Sequence, residues 1–218
     1  RDCAAQFLNC PPELISLTEN TSHNFNLVAM MLKQDSPEGV EIVAPADEFP
    51  SSILPFYHHG HRVIQVPSQH GTFTIEDILG ALTEKTKAVV CSHIQFSSGL
   101  RTDIYKLSEE LKKRGVGFIL NATQSIGAFP IDLSQLEVMA MSATCHKWLG
   151  AGMGRALFYL SSDFIEKHRA PLLGWCSVAE PFEMKNDPGV SRFDVGTYQL
   201  GTLPFSALAG VKKALEIN

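Results

Sequence analysis

No apolar run in this 218-residue sequence approaches the ~20 residues a membrane-spanning helix needs, so no membrane partner is expected. Basic residues are not in excess. Eighteen Lys and Arg against 23 Asp and Glu give a net charge of −5, which offers no electrostatic footprint for nucleic acid. There is no Cys-x-x-Cys pair. Cys3, Cys10, Cys91, Cys145 and Cys176 are odd in number and scattered, a pattern that fits reduced thiols in the cytoplasm better than a disulfide framework or a zinc site. Neither G-x-G-x-x-G nor a Walker loop occurs. Gly150, Gly152 and Gly154 are spaced G-x-G-x-G ahead of a strand-like run, which fails the dinucleotide-loop test and counts against a plain nucleotide-binding module. No secretory leader is seen. The opening at Arg1 and the stop inside an amphipathic pattern at 211–218 point to a piece of a longer protein. What remains is ordinary globular composition, 44% hydrophobic and 19% charged.

Taken in order, helical and extended patterns alternate. Arg1–Leu8 reads as the tail of a helix ended by Cys10-Pro11-Pro12, and Ile15–Thr18 as a strand. Phe25, Leu27, Val28, Met31 and Leu32 recur at helical spacing, so Asn20, Thr21 and Ser22 form a strand-to-helix turn. That turn is either simple capping or a seat for phosphate on free N–H groups at the positive end of the helix dipole. Strand 40–44, helix 49–58 and strand 62–66 follow. Tyr57-His58-His59-Gly60-His61 has no carboxylate or thiolate partner at metal-binding spacing and is expected as solvated surface, so no metal site is expected. Thr74–Asp77 is a capping box. Strand 87–91 leads to a polar cluster at 92–98, and helix 103–114 carries a stripe of Ile104, Leu107 and Leu111 closed by Gly115. Strand 116–120 delivers Asn121, Ala122, Thr123 and Gln124.

Apolar run 138–143 then delivers Thr144, Cys145, His146 and Lys147, followed by the glycine-rich turn and a second apolar run, 155–160. A lysine at the mouth of a buried strand can lose its proton to desolvation and attack a carbonyl, forming a Schiff base. The alternative is an exposed loop lysine. Strands apolar on both faces and alternating with helices indicate an α/β fold with a mostly parallel sheet covered by helices. In such sheets ligands sit beyond the carboxyl ends of the strands. Four polar clusters fall there, at 18–23, 92–98, 121–124 and 144–147.

With those clusters in place, the chain resembles the class V aminotransferases, the fold-type-I pyridoxal-phosphate enzymes that include cysteine desulfurases, selenocysteine lyases, kynureninases and isopenicillin N epimerases. The resemblance rests on Asn121-Ala-Thr-Gln-Ser-Ile-Gly-Ala, Cys145-His-Lys-Trp-Leu-Gly and Arg192-Phe-Asp-Val-Gly-Thr, in family order. It implies a pyridoxal 5'-phosphate large domain over 1–173. Residues 174–218 would carry an inter-subunit loop leading toward a C-terminal small domain. It also implies a transferase or lyase acting on a small amino acid, of the desulfurase or selenocysteine-lyase kind. Lys147 would be the Schiff-base lysine. Thr21, Ser22 and His23, with Thr144 and His146, would form the phosphate seat. Phe49 would stack on the pyridine ring, and Gln124 would bond the phenolic oxygen. Gly196 and Thr197 would reach the phosphate of a neighbouring subunit, which implies a homodimer. Where the family has an aspartate facing the ring nitrogen, this sequence has Asn121. An amide can only hydrogen-bond there and makes a weaker electron sink. A catalytically weakened member acting as a binding or regulatory protein is the second reading. The loop at Gln95-Phe96 lacks the asparagine of many desulfurases. The substrate-carboxylate arginine and any nucleophilic cysteine are expected in the small domain, with Cys145 a packed thiol and Cys176 a loop residue.

Overall fold

Alternate residues of the central strands are apolar on both faces, and the sheet they form is covered on both sides. The computed structural model describes residues 1–186, 192 and 194–218. Its strands are β1 (Ile15–Thr18), β2 (Glu41–Pro45), β3 (Arg62–Val66), β4 (Thr86–Ser92), β5 (Gly117–Asn121), β6 (Ala140–Thr144) and β7 (Ala156–Leu160). The helices are α1 (Asp2–Leu8), α2 (Thr21–Leu32), α3 (Pro50–His58), α4 (Ile75–Gly80), α5 (Ile104–Lys113), α6 (Ser162–Lys167) and α7 (Phe205–Ile217). One seven-stranded sheet runs β1-β7-β6-β5-β4-β2-β3. Strands β6, β5, β4, β2 and β3 are parallel, whereas β7 is antiparallel to both β6 and β1.

The antiparallel edge arises because β6 and β7 are joined by the short glycine-rich connection rather than a crossover helix. Thr144 pairs with Ala156, and Gly150, Gly152 and Gly154 all take positive φ (70°, 80° and 84°), which a side chain would resist. In β5, Phe118 and Leu120 face the core shared with α1, α5 and α7, while Ile119 faces the one shared with α2 and α3. Fully buried Phe25, Phe118 and Phe158 each contribute about 1.5–3 kcal/mol by leaving water.

The predicted elements recur with ends shifted by one to two residues. The Thr74–Asp77 capping box is present, as is the Ile104, Leu107, Leu111 stripe, and Glu109 pairs with Lys113 at 2.8 Å. Val195 and Tyr198 enter the core beside α2, and Val211, Ala214 and Leu215 enter the opposite one. The turn Val195–Tyr198 and helix α7 therefore pack on the sheet domain. Phe193, in the motif Arg192–Thr197, lies outside the described residues. The Tyr57–His61 segment departs from expectation. Tyr57 and His58 are exposed, but Gly60 (φ 76°) turns the chain inward and His61 is buried. Its Nδ1 accepts from the Val40 N–H at 3.1 Å and its Nε2 donates to the Ala29 carbonyl at 2.8 Å. Among the described residues, no helix is long and apolar enough to cross a membrane.

Candidate active site

Strand register places the polar residues together. Ser92 pairs with Asn121 and Asn121 with Ser142, so the carboxyl ends of β4, β5 and β6 lie side by side. The N-termini of α2 and α3 flank them. Between these ends lies a cleft with about 550 Å³ of empty space, lined among others by Thr21, Ser22, Phe49, Asn121, Thr144 and Lys147.

Asn20 caps α2, its Oδ1 accepting from the His23 N–H at 2.8 Å. This leaves the Thr21 and Ser22 end of the helix facing the cleft with the positive end of its dipole. Behind it runs a buried chain of hydroxyls. Asn24 Nδ2 donates to Ser142 Oγ at 2.8 Å, and Ser142 Oγ donates to Thr21 Oγ1 at 3.1 Å. Thr21 Oγ1 lies 3.2 Å from Thr123 Oγ1, which accepts from the Thr144 N–H at 3.3 Å. This chain ties α2, β5 and β6 into one frame. Thr144 Oγ1 is buried, lines the cleft, and has no partner among the described residues.

Lys147 also lines the cleft but is exposed at its mouth. The desolvated lysine expected from sequence is not found, because β6 ends at Thr144 and, after the buried Cys145, the chain emerges into solvent at His146 and Lys147. Its Nζ lies 5.6 Å from the centroid of the Phe49 ring, which meets Phe96 edge-on at 5.2 Å. Gln124 Oε1 accepts from Trp148 Nε1 at 3.0 Å, which leaves its NH₂ as the free end. Asn121 is buried. Its Oδ1 accepts from the Thr123 N–H at 3.0 Å, and its Nδ2 donates to Ser52 Oγ at 2.9 Å.

Eight of the eleven residues expected at the site therefore line one cleft: Thr21, Ser22, Phe49, Asn121, Gln124, Thr144, His146 and Lys147. His23 does not; it sits one residue further along α2. Gly196 and Thr197 lie in the buried turn Val195–Tyr198, where the Thr197 hydroxyl donates to the Arg192 carbonyl at 2.6 Å. Asn20, Ser51, Ser92, Phe96 and Thr123 also line the cleft. Beneath it lies a carboxylate that sequence reasoning missed. Glu48 accepts from the Ser92 N–H at 2.5 Å, from Ser92 Oγ at 2.6 Å and from Gln95 Nε2 at 2.6 Å. Burial pushes its carboxyl above the usual range against these donors. An acidic residue directly before an apolar helix start was its only signal. No described cysteine lines the cleft, and burial pushes the Cys145 thiol up to about 12.

The donor set fits pyridoxal phosphate. A helix N-terminus and an unpartnered Thr144 hydroxyl suit a phosphate, Phe49 suits a flat ring, the free Gln124 NH₂ suits an oxyanion, and Lys147 supplies an amine.

Comparison with known proteins gives the same grouping. The family model "Aminotransferase class-V" matches residues 1–218. A probable cysteine desulfurase of Pyrococcus abyssi is 26% identical over 100% of this chain and 56% of its own length. A kynureninase of Geobacillus thermodenitrificans is 30% identical over 98% of this chain and 52% of its own. The apo structure of a cysteine desulfurase from Thermococcus onnurineus NA1 superposes with a TM-score of 0.89 at 22% identity, covering 99% of this chain and 54% of that one. The chain thus spans about half the length of the curated relatives it matches.

Proposed function

Because this chain belongs to the class V aminotransferase family, we propose that it forms the cofactor-binding part of a pyridoxal-phosphate enzyme, a transferase or lyase acting on a small amino acid. A desulfurase or selenocysteine-lyase type of reaction is the specific reading. The observation that carries it is the meeting of Lys147, the α2 N-terminus, Asn121 and Gln124 around one cleft. The relatives above carry the names of enzymes, which favours a working catalyst over a binding protein.

Thr21, Ser22, Thr144 and His146 would hold the phosphate, with the helix end supplying N–H donors and positive dipole. Phe49 would cover one face of the ring and exclude water from it. The Gln124 NH₂ would donate to the phenolic oxygen, its orientation fixed by Trp148. Asn121 would meet the ring nitrogen. When bound, the cofactor supplies an electron-withdrawing system that stabilises negative charge at the substrate Cα. Lys147 would anchor the cofactor through its Nζ and, once displaced by a substrate amine, take up and return a proton at Cα. A homodimer is part of the proposal. Thr197 would reach a neighbouring phosphate only by giving up its bond to the Arg192 carbonyl.

The test is the absorption spectrum of the full-length protein with added cofactor. A visible band abolished by borohydride, leaving the cofactor fixed to Lys147, is the expected result. A protein that never acquires such a band is not this kind of enzyme.

A further inference from the structure

Phe49 and Phe96 meet edge to face, their ring centroids 5.2 Å apart and their planes at 83°. Both line the cleft, and at 41% and 47% exposure neither ring is held by the core. The backbone under each ring is fixed. Phe49 is the N-cap of α3, kept extended (φ −61°, ψ 138°) by the proline that follows it. Phe96 stands on the turn after β4. There the Gln95 N–H donates to the Leu100 carbonyl and the Gly99 N–H to the Gln95 carbonyl, both at 2.9 Å. The residues just before the two rings are joined as well. Buried Gln95 donates from Nε2 to Glu48 Oε1 at 2.6 Å. The start of α3 and the turn after β4 are thus tied twice, Glu48 to Gln95 by a hydrogen bond and Phe49 to Phe96 by their rings. The hydrogen bond sets the spacing of the two chains. It does not set the tilt of the Phe49 ring, whose χ2 torsion has a broad minimum. Among the described residues, Phe96 is the one aromatic ring in contact with it.

We propose that Phe96 is a positioning residue whose contact with Phe49 sets the tilt of that ring, and so of the face offered to the pyridine ring of the cofactor. This rests on the pyridoxal-phosphate reading, in which Phe49 covers the pyridine. The Phe49 centroid also lies 5.6 Å from Lys147 Nζ, so the same tilt bears on where the amine rests. Phe96 acts through Phe49 and needs no contact of its own with cofactor or substrate.

The test is a double-substitution cycle on the full-length protein, read as the dissociation constant of pyridoxal phosphate and as the circular dichroism of its visible band. Phe96→Leu keeps apolar bulk and removes the ring. It should weaken the cofactor about two- to tenfold, the worth of one edge-to-face aromatic pair, and change the dichroism. Phe96→Tyr keeps the ring and should stay close to the wild type in both. In a Phe49→Leu background there is no ring to aim, so Phe96→Leu should cost less than about twofold there. Lost packing of a general kind would weaken binding by the same factor in both backgrounds, so equal factors overturn the inference. Phe96→Leu with wild-type affinity and dichroism overturns it too, as does Phe96→Tyr behaving like Phe96→Leu. A wild-type protein that binds no pyridoxal phosphate would instead remove the cofactor reading and this inference together.

Discussion

The Lys147 amino group stands 5.6 Å from the centroid of the Phe49 ring. The contact joins the chain leaving β6 to the N-terminal end of α3, two elements from distant parts of the sequence. At an exposed site such a cation–π contact contributes on the order of 0.5–1 kcal/mol, enough to bias the side chain toward the cleft without fixing it there. An amine that must bind a cofactor, let it go and then move a proton needs that freedom.

Lys147→Ala is therefore expected to cost little stability, within about 0.5 kcal/mol, because the side chain is exposed and outside the core. It should remove the borohydride-fixed chromophore completely. Thermal melting and reduction of the loaded protein check both halves. A chromophore fixed at wild-type level in the variant would show that another group carries the cofactor.

Removing the polar atoms at the phosphate end should act on affinity rather than on the fold. Ser22 and His146 are exposed and line the cleft, so Ser22→Ala and His146→Ala should each weaken pyridoxal-phosphate binding by about 1–3 kcal/mol. Ser142→Ala should instead lower the stability of the apoprotein by about 1–3 kcal/mol, since Asn24 Nδ2 loses its buried acceptor. Equilibrium dialysis and chemical denaturation separate the two effects. Unchanged cofactor retention in both surface variants would mean that the phosphate lies elsewhere.

The buried His93 makes a prediction about pH. Burial first, and the nearby Arg101 second, lower its pKa from 6.5 to about 4, with Asp103 opposing. Above pH 6.5 the imidazole is neutral in both folded and unfolded chains. As pH falls from 6.5 toward 4 the unfolded chain takes up a proton that the folded one refuses, so stability is lost over that window. The loss should be on the order of 2 kcal/mol, and His93→Gln should flatten it. Denaturant titrations at a series of pH values, wild type against variant, decide it. Parallel curves across the window would show that His93 is not held neutral by the fold.

The main elements were readable from the sequence because periodicity and caps agree with the packing. The 3.6-residue stripe of α5, the capping box at Thr74 and the doubly apolar β4, β5 and β6 each determine both their own form and what they bury. Seven cleft residues were readable because strand ends of a parallel sheet converge, and Phe49 came only from the family resemblance. Local pattern did not reveal which way each side chain leaves its strand end. Lys147 was expected to be desolvated yet emerges into solvent, and His61 was expected at the surface yet turns inward after Gly60. Glu48 escaped notice because its three hydrogen bonds come from Ser92 and Gln95, and only the folded sheet brings those residues to it.

Asn121→Asp tests the residue that breaks the family pattern, and its outcome has two opposed parts. In the loaded full-length enzyme a carboxylate at the ring nitrogen favours the pyridinium form, a stronger electron sink. The rate of any reaction that builds negative charge at Cα should therefore rise, with little change in cofactor retention. In the apoprotein the same carboxylate would be buried beside Ser52, the present acceptor of the Asn121 amide. Burial without a positive partner raises such a carboxyl. A raised carboxyl contributes its stability below its unfolded pKa and loses it as pH rises through the folded value. The apo variant should thus trail the wild type by on the order of 1–3 kcal/mol at neutral pH, and the gap should close in acid. Activity assays on an amino-acid panel and pH-resolved melting of the apoprotein measure the two parts separately. An aspartate variant no faster on any substrate, with a pH-independent stability, would mean that Asn121 neither meets the ring nitrogen nor lies where a buried charge is resisted.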